Sequence, residues 1–375
     1  MACAWQPGGA EVKRRLEPDV FRLPVAQIRS GYYSDAYFNY TKQVLETGGM
    51  HPRVLMQVFQ KHEGAVLGGM DEALAILRLC AGRYRSGRAG RRWESGWRHL
   101  RVHALYDGDE ISSWETVLTV EGDYSLFAHL ETVYLGVLSR RTLVSTNVRR
   151  VVQAAGGKSI LFFPARFDHY RVQTGDGYAA HVAGAIGVST DAQASWWGGK
   201  GIGTVPHGLI AACGGDTVEA VRRFADRYYP EVNVVALVDF HNDSVTTSLA
   251  CARALGKRLW GVRLDTAETM VDRALWDRMG QFKPTGVAPE LVWEVRRALD
   301  AEGFDFVKIV ASGGFDADRI RAFEAAGVPA DAYGVGSSLL RGNTDFTADV
   351  VMVEGRPCAK VGRSFRPSTR LDLVE

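Results

Sequence analysis

Cysteine is scarce in this 375-residue chain, and its five residues (Cys3, Cys80, Cys213, Cys251 and Cys358) are scattered without a C-x-x-C pair. That spacing argues against a zinc knuckle or a disulfide framework and suits a reducing cytosol. Long apolar runs are missing too; none approaches the ~20 residues a membrane-spanning helix needs. Met1 to Ala10 lacks the charged-then-apolar form of a signal peptide, so the expectation is a cytoplasmic protein with no membrane partner. Nor is there a surplus of charge: 45 Lys and Arg against 43 Asp and Glu leave +2, too weak a field to call for nucleic acid or an acidic membrane. What remains is ordinary for a soluble globular protein, 46% hydrophobic and 23% charged. The length suits one large unit plus a smaller one.

The most informative stretch runs from Phe306 to Leu339. It reads as a strand (Val307–Ala311), the turn Ser312-Gly313-Gly314, a helix opened by Asp316, a second strand (Ala332–Val335) and the turn Gly336-Ser337-Ser338. Two successive strand-to-glycine turns aim bare backbone N–H groups at one point, and helix N-termini add partial positive charge. On the last strands of a β/α barrel, paired turns of this kind form a phosphate site. The plainer reading is two tight turns with no ligand.

Taken in order, residues 1–30 open with a frayed tail, and Pro18 and Pro24 interrupt any helix there. Ser34 or Asp35 can cap a helix. Val54–Phe59 reads as a strand and Asp71–Leu79 as a helix. The arginine-rich run 83–101 (Arg83, Arg85, Arg88, Arg91, Arg92, Arg98, Arg101) reads as a solvated loop ahead of a nucleic-acid patch. Strands over 102–120 and a long helix from about Ser125 into Val137 complete an N-terminal α+β domain, placed at 1–140. The rhythm then changes to alternation. Strands are predicted at Ser159–Phe163, Val232–Val238, Leu259–Leu264, Val307–Ala311 and Ala332–Val335. Helices are predicted at Thr217–Tyr228, Ser244–Leu255, Glu268–Met279 and Glu290–Ala301. This βα repetition is short for an eight-fold barrel, so the fold class is α/β, an incomplete β/α barrel at 141–342, with a doubly wound sheet as runner-up. Residues 343–375 form a hairpin and tail that return to the first domain.

Chemistry in such folds gathers at the carboxyl ends of the strands. Reading those ends gives Arg166, Asp239, Arg263, Asp265 and the glycine turns, with His207 in the glycine-rich run 201–208. Each has a duller explanation: Arg263 and Asp265 flank Leu264 and can be a structural ion pair, Asp239 can cap the next helix, and His207 can be an ordinary polar side chain. Together, cations, carboxylates, an imidazole and a phosphate cradle suit transfer of a phosphorylated sugar with an anionic leaving group, with Mg²⁺ on the pyrophosphate.

Several stretches resemble the nicotinate phosphoribosyltransferase family of type II phosphoribosyltransferases: Ser34-Asp35-Ala36-Tyr37-Phe38, Ala104 to Asp109 with Glu121 to Tyr124, Leu130-Glu131-Thr132, Gly203 to His207, Gly261 to Asp265, and the turns at Ser312 and Gly336. The resemblance implies an N-terminal α/β domain on an incomplete barrel, and a homodimer with shared active sites. It implies nicotinate and 5-phosphoribosyl 1-pyrophosphate as substrates, with ATP as co-substrate. By the same resemblance His207 is the phosphorylated histidine, and Phe163 and a partner chain's Tyr37 sandwich the pyridine ring. Arg166 and Arg263 lie near base and phosphates, and Asp265 binds ribose. Ser312, Gly313, Gly314, Gly336 and Ser337 cradle the 5′-phosphate, and Lys360 and Arg363 reach the pyrophosphate. Thr190 stands where nicotinamide-using relatives place an aspartate, and a hydroxyl tolerates the nicotinate carboxylate.

Overall fold

The computed structural model describes residues 14–87 and 90–375; the expected frayed start, Cys3 and Arg88 lie outside the described residues. The described residues divide into two compact units, residues 147–341 and residues 14–146 with 342–375. The boundary falls within the helix Glu131–Ala154.

The N-terminal unit is built on a six-stranded antiparallel sheet. Its order is Arg356–Pro357, Phe346–Val353, Arg53–Gln60, Leu118–Asp123, Arg101–Ala104 and Asp372–Leu373. Val54, Met56 and Val58 alternate along the third of these strands and are buried with Val102, Val120, Leu74 and Tyr134. Period-2 alternation places them on one face, and each fully buried aliphatic side chain contributes about 1.5–3 kcal/mol. The segment from Arg83 departs from the expected loop. Gly82–Gly87 and Gly90–Ser95 pair as an antiparallel hairpin, held by a Tyr84–Trp93 edge-on contact at 4.9 Å, which residue-type counting could not register. The long helix also starts later than expected, at Glu131 after two 3-10 turns, and continues to Ala154.

The second unit holds six parallel strands: β1 (Ser159–Phe162), β2 (Gly187–Val188), β3 (Val234–Leu237), β4 (Leu259–Leu264), β5 (Lys308–Ala311) and β6 (Ala332–Val335), in the order β3-β4-β5-β6-β1-β2. The helices α1 (Gln173–Val182), α2 (Thr217–Tyr228), α3 (Ser244–Leu255), α4 (Pro289–Ala301) and α5 (Ala317–Ala325) lie in the intervals between strands. The sheet curls without strand-to-strand closure between β2 and β3. The segment 202–205 bridges that gap, its Ile202 N–H donating to Val188 O at 2.8 Å and its Val205 N–H to Val235 O at 3.1 Å. Ile202 also packs against the cluster of Leu161, Val235, Val310 and Ala332. A Cβ on Gly187 would lie 2.3 Å from the end of the Ile202 side chain, so a larger residue there would push Ile202 aside.

One expected helix is absent among the described residues. Over Glu268–Met279 only a 3-10 stretch, Arg273–Arg278, forms. Asp272 is fully buried; its carboxylate accepts from Ser244 N and Oγ and from Ala274 N. These bonds hold its backbone extended and break the helical run.

Candidate active site

Because the strands of this unit are parallel, their carboxyl ends share one edge. At the end of β4, the Arg263 guanidinium donates from Nε to Ser312 Oγ at 2.8 Å, from Nη1 to Thr204 Oγ1 at 3.2 Å, and from Nη2 to Asp265 Oδ2 at 2.9 Å. Ser312 Oγ in turn lies 2.8 Å from Asp265 Oδ1 and 2.9 Å from Leu264 O. The suspected ion pair of Arg263 and Asp265 is therefore real, but it is one edge of a four-residue net. The guanidinium also lies 5.4 Å from the centroid of the Phe163 ring.

His207 opens the short helix His207–Ala212. Its Nε2 is 2.9 Å from Asp239 Oδ1, with the imidazole side chain 48% exposed and the carboxylate 8%. Burial raises the Asp239 carboxyl above its ordinary value, the imidazole pulls it back down, and Asp265 pushes it up again. Asp239 and Asp265 thus feel one another, and Thr204 links the loop carrying His207 to Arg263.

The two glycine turns follow adjacent strands, β5 and β6, and are tied by a bond from Ser338 Oγ to Phe315 O at 2.8 Å. Gly313 and Gly314 have φ of 85° and 69°, a region in which side chains are strained. The N–H groups of Gly313, Gly314 and Gly336 have no hydrogen-bond acceptor among the described residues, leaving them open to an anion. A Cβ on Gly336 would meet the Phe167 ring at 2.9 Å, and one on Gly314 would meet Glu268 Oε1 at 1.7 Å. Ser337 begins the 3-10 turn Ser337–Leu340.

The remaining candidates are placed as follows. Phe163 continues β1, its N–H donating to Val335 O at 2.8 Å, and its ring edge would lie 3.0 Å from a Cβ on Gly334. Arg166 is exposed on the turn Ala165–Phe167, with its guanidinium 5.3 Å from the Phe167 ring centroid. Thr190 caps the helix Asp191–Ala194: its hydroxyl accepts from Gln193 N at 3.1 Å and donates to Gln173 Oε1 at 3.0 Å. Tyr37, Lys360 and Arg363 belong to the N-terminal unit. Tyr37 is 59% exposed, Lys360 is exposed, and Arg363 pairs with Asp349 at 2.7 Å beside the rings of Phe59 and Trp114. Sequence reasoning missed Thr204, Glu268 and Arg319; none carries a spacing signal that would have marked it.

A curled half-barrel of parallel strands, with its polar net and glycine turns along one edge, is the fold of the type II phosphoribosyltransferases. Residues 35–142 match the family "Quinolinate phosphoribosyl transferase, N-terminal domain". Nicotinate phosphoribosyltransferase pncB1 of Mycobacterium tuberculosis is 31% identical over 269 residues, 69% of this chain and 55% of the relative. The crystal structure of nicotinate-nucleotide pyrophosphorylase from Pyrococcus furiosus is 33% identical with a TM-score of 0.75, covering 92% of this chain and 81% of that one. Human nicotinic acid phosphoribosyltransferase shares the fold at a TM-score of 0.62 and 16% identity, over 87% of this chain and 76% of that one. The chain belongs to the nicotinate phosphoribosyltransferase family. It spans about half the length of the curated relatives it matches. No helix among the described residues is long and apolar enough to cross a membrane.

Proposed function

We propose that this protein transfers the phosphoribosyl group of 5-phosphoribosyl 1-pyrophosphate to nicotinate, giving nicotinate mononucleotide and pyrophosphate, with ATP hydrolysis coupled through His207. The observation that carries this reading is the net of Arg263, Asp265, Ser312 and Thr204, set between the glycine turns and the His207–Asp239 pair. In the transfer, the bond from the anomeric carbon to pyrophosphate breaks and a bond to the pyridine nitrogen forms. Asp265 faces the ribose, where its charge favours the positive character developing at that carbon. The turns at Ser312, Gly313, Gly314, Gly336 and Ser337 hold the 5′-phosphate, and Phe163, with Tyr37 from a second copy, stacks on the base. Arg166 balances the nicotinate carboxylate near Thr190, and Lys360 and Arg363 meet the pyrophosphate.

Asp239 accepts from the Nε2–H of His207, which leaves the Nδ1 lone pair as nucleophile. Attack of Nδ1 on the γ-phosphorus of ATP forms the N–P bond and releases ADP; water later takes the phosphoryl group. Among the described residues no group of three His, Cys, Asp or Glu side chains could hold a metal ion. The donor set fits Mg²⁺ carried on substrate phosphates, with Asp239 or Asp265 behind it, since Mg²⁺ is commonly bound by one or two carboxylates plus phosphate oxygens. When bound, the ion would neutralise charge on the departing pyrophosphate.

The test is turnover of nicotinate, nicotinamide and quinolinate by the purified protein with 5-phosphoribosyl 1-pyrophosphate, with and without ATP. Nicotinate turnover, with a higher product yield in ATP, is expected. Turnover of nicotinamide alone would sink the choice of base, and binding without pyrophosphate release would sink the enzymatic reading.

A further inference from the structure

The turn after β5 is held on its carbonyl side by a single side chain. Arg319, on α5, donates from Nη1 to Gly313 O at 2.8 Å and from Nη2 to Val287 O at 2.9 Å. Its own backbone N–H donates to Asp316 Oδ1 at 2.9 Å, the cap that opens α5. The guanidinium lies 4.3 Å from the Phe315 ring centroid, a stacking that favours a cation. Burial works against its charge, and Glu268 and Asp316 favour it. The peptide between Gly313 and Gly314 is trans, so its C=O and N–H point in opposite directions. With the Gly313 carbonyl held by Arg319, the Gly314 N–H faces away from the guanidinium. That N–H has no acceptor among the described residues, and Gly314 is exposed. Glycine on both sides leaves this peptide little orientation of its own. One anchored carbonyl therefore decides which way the donor points.

Resting on the reading of this turn as the 5′-phosphate site, we infer that Arg319 is a positioning residue: by holding the Gly313 carbonyl, it aims the Gly314 N–H at the phosphate. The arginine stands on the opposite side of the peptide from the ligand and does not touch it. Its effect reaches the phosphate through a backbone dipole already oriented before binding, and it does not extend to the base. Without the anchor the peptide is free to rotate, and an arriving phosphate must select one orientation from several.

The experiment is calorimetric titration of ribose 5-phosphate into the wild-type protein, Arg319→Lys and Arg319→Met, with KM measured for both substrates. Methionine keeps an apolar stem on Phe315 but has no donor, and should weaken binding of the ester about tenfold. The KM for 5-phosphoribosyl 1-pyrophosphate should rise in step, with kcat and the KM for nicotinate within about threefold of wild type. Lysine keeps one donor for Gly313 O and should bind the ester within about threefold of wild type. At saturating ester the Gly314 amide proton should shift downfield in the wild type and by less than half as far in Arg319→Met. Wild-type affinity in Arg319→Met, no gain from lysine over methionine, an equal rise in both KM values or an equal amide shift overturns the role of Arg319 and leaves the phosphate site standing. Failure of the wild-type protein to bind the ester at millimolar concentration overturns the phosphate reading of the turn and the positioning role with it.

Discussion

Replacing Arg263 by lysine tests whether the polar net, rather than its charge, serves the reaction. The guanidinium makes three hydrogen bonds, to Ser312, Thr204 and Asp265, all between 2.8 and 3.2 Å. An ammonium keeps the charge but has no planar fork, and from a single point it can retain one of these partners. Two bonds involving a charged group are then lost, each worth about 1.5–3 kcal/mol. The side chains of Arg263 and Asp265 are 20% and 22% exposed, so water softens the loss and the lower end applies. The sum is about 3 kcal/mol, or roughly two orders of magnitude in kcat/KM. Steady-state release of pyrophosphate measures it, and a variant within threefold of wild type would refute the assignment. A double-mutant cycle with Ser312→Ala sharpens the test: Ser312 Oγ bridges Arg263 and Asp265, so the two substitutions should couple by at least ~0.5 kcal/mol. Strict additivity would show that the bridge has no part in the chemistry.

The other predictions concern the histidine and a buried carboxyl. Asp239→Asn removes the charge that holds His207 Nε2 and should cut the ATP-dependent gain in product by about tenfold; an unchanged gain contradicts the orienting role. In the N-terminal unit, burial first, then Asp349 and Asp35, push the Glu131 carboxyl from 4.5 to about 8. The folded value lies above the unfolded one, so the native state keeps a proton that the unfolded chain releases; stability is full below the unfolded value and is lost as pH rises to about 8. Glu131→Gln removes that dependence, so its Tm relative to wild type should climb between pH 5 and pH 9, by the equivalent of about 1–3 kcal/mol. A pH-independent difference would show that the carboxyl titrates normally.

Local order is largely legible in the sequence. Leu259–Leu264 and Ala332–Val335 form strands over the expected bounds, as Thr217–Tyr228 and Ser244–Leu255 form helices, because β-branched runs and apolar periodicity are properties of the nearby chain. The glycine turns were legible for the same reason: positive φ at Gly313 and Gly314 is a cost only glycine avoids. The expected helix at Glu268–Met279 failed where a distant partner intervened, since Asp272 reaches Ser244, and the arginine run became a hairpin through a cross-strand aromatic pair.

The sequence by itself determined most strands and helices of the second unit, the half-barrel class and the residues that would stand at strand ends, because those depend on backbone preference and the period of side-chain burial. Only the tertiary structure decided that β6 lies against β1, that Thr204 reaches Arg263 across 59 residues of chain, and that the side chains of Glu268 and Arg319 both approach Gly314. Those contacts follow from strand order and packing between segments far apart in the chain, where local spacing carries no information about which side chains will touch.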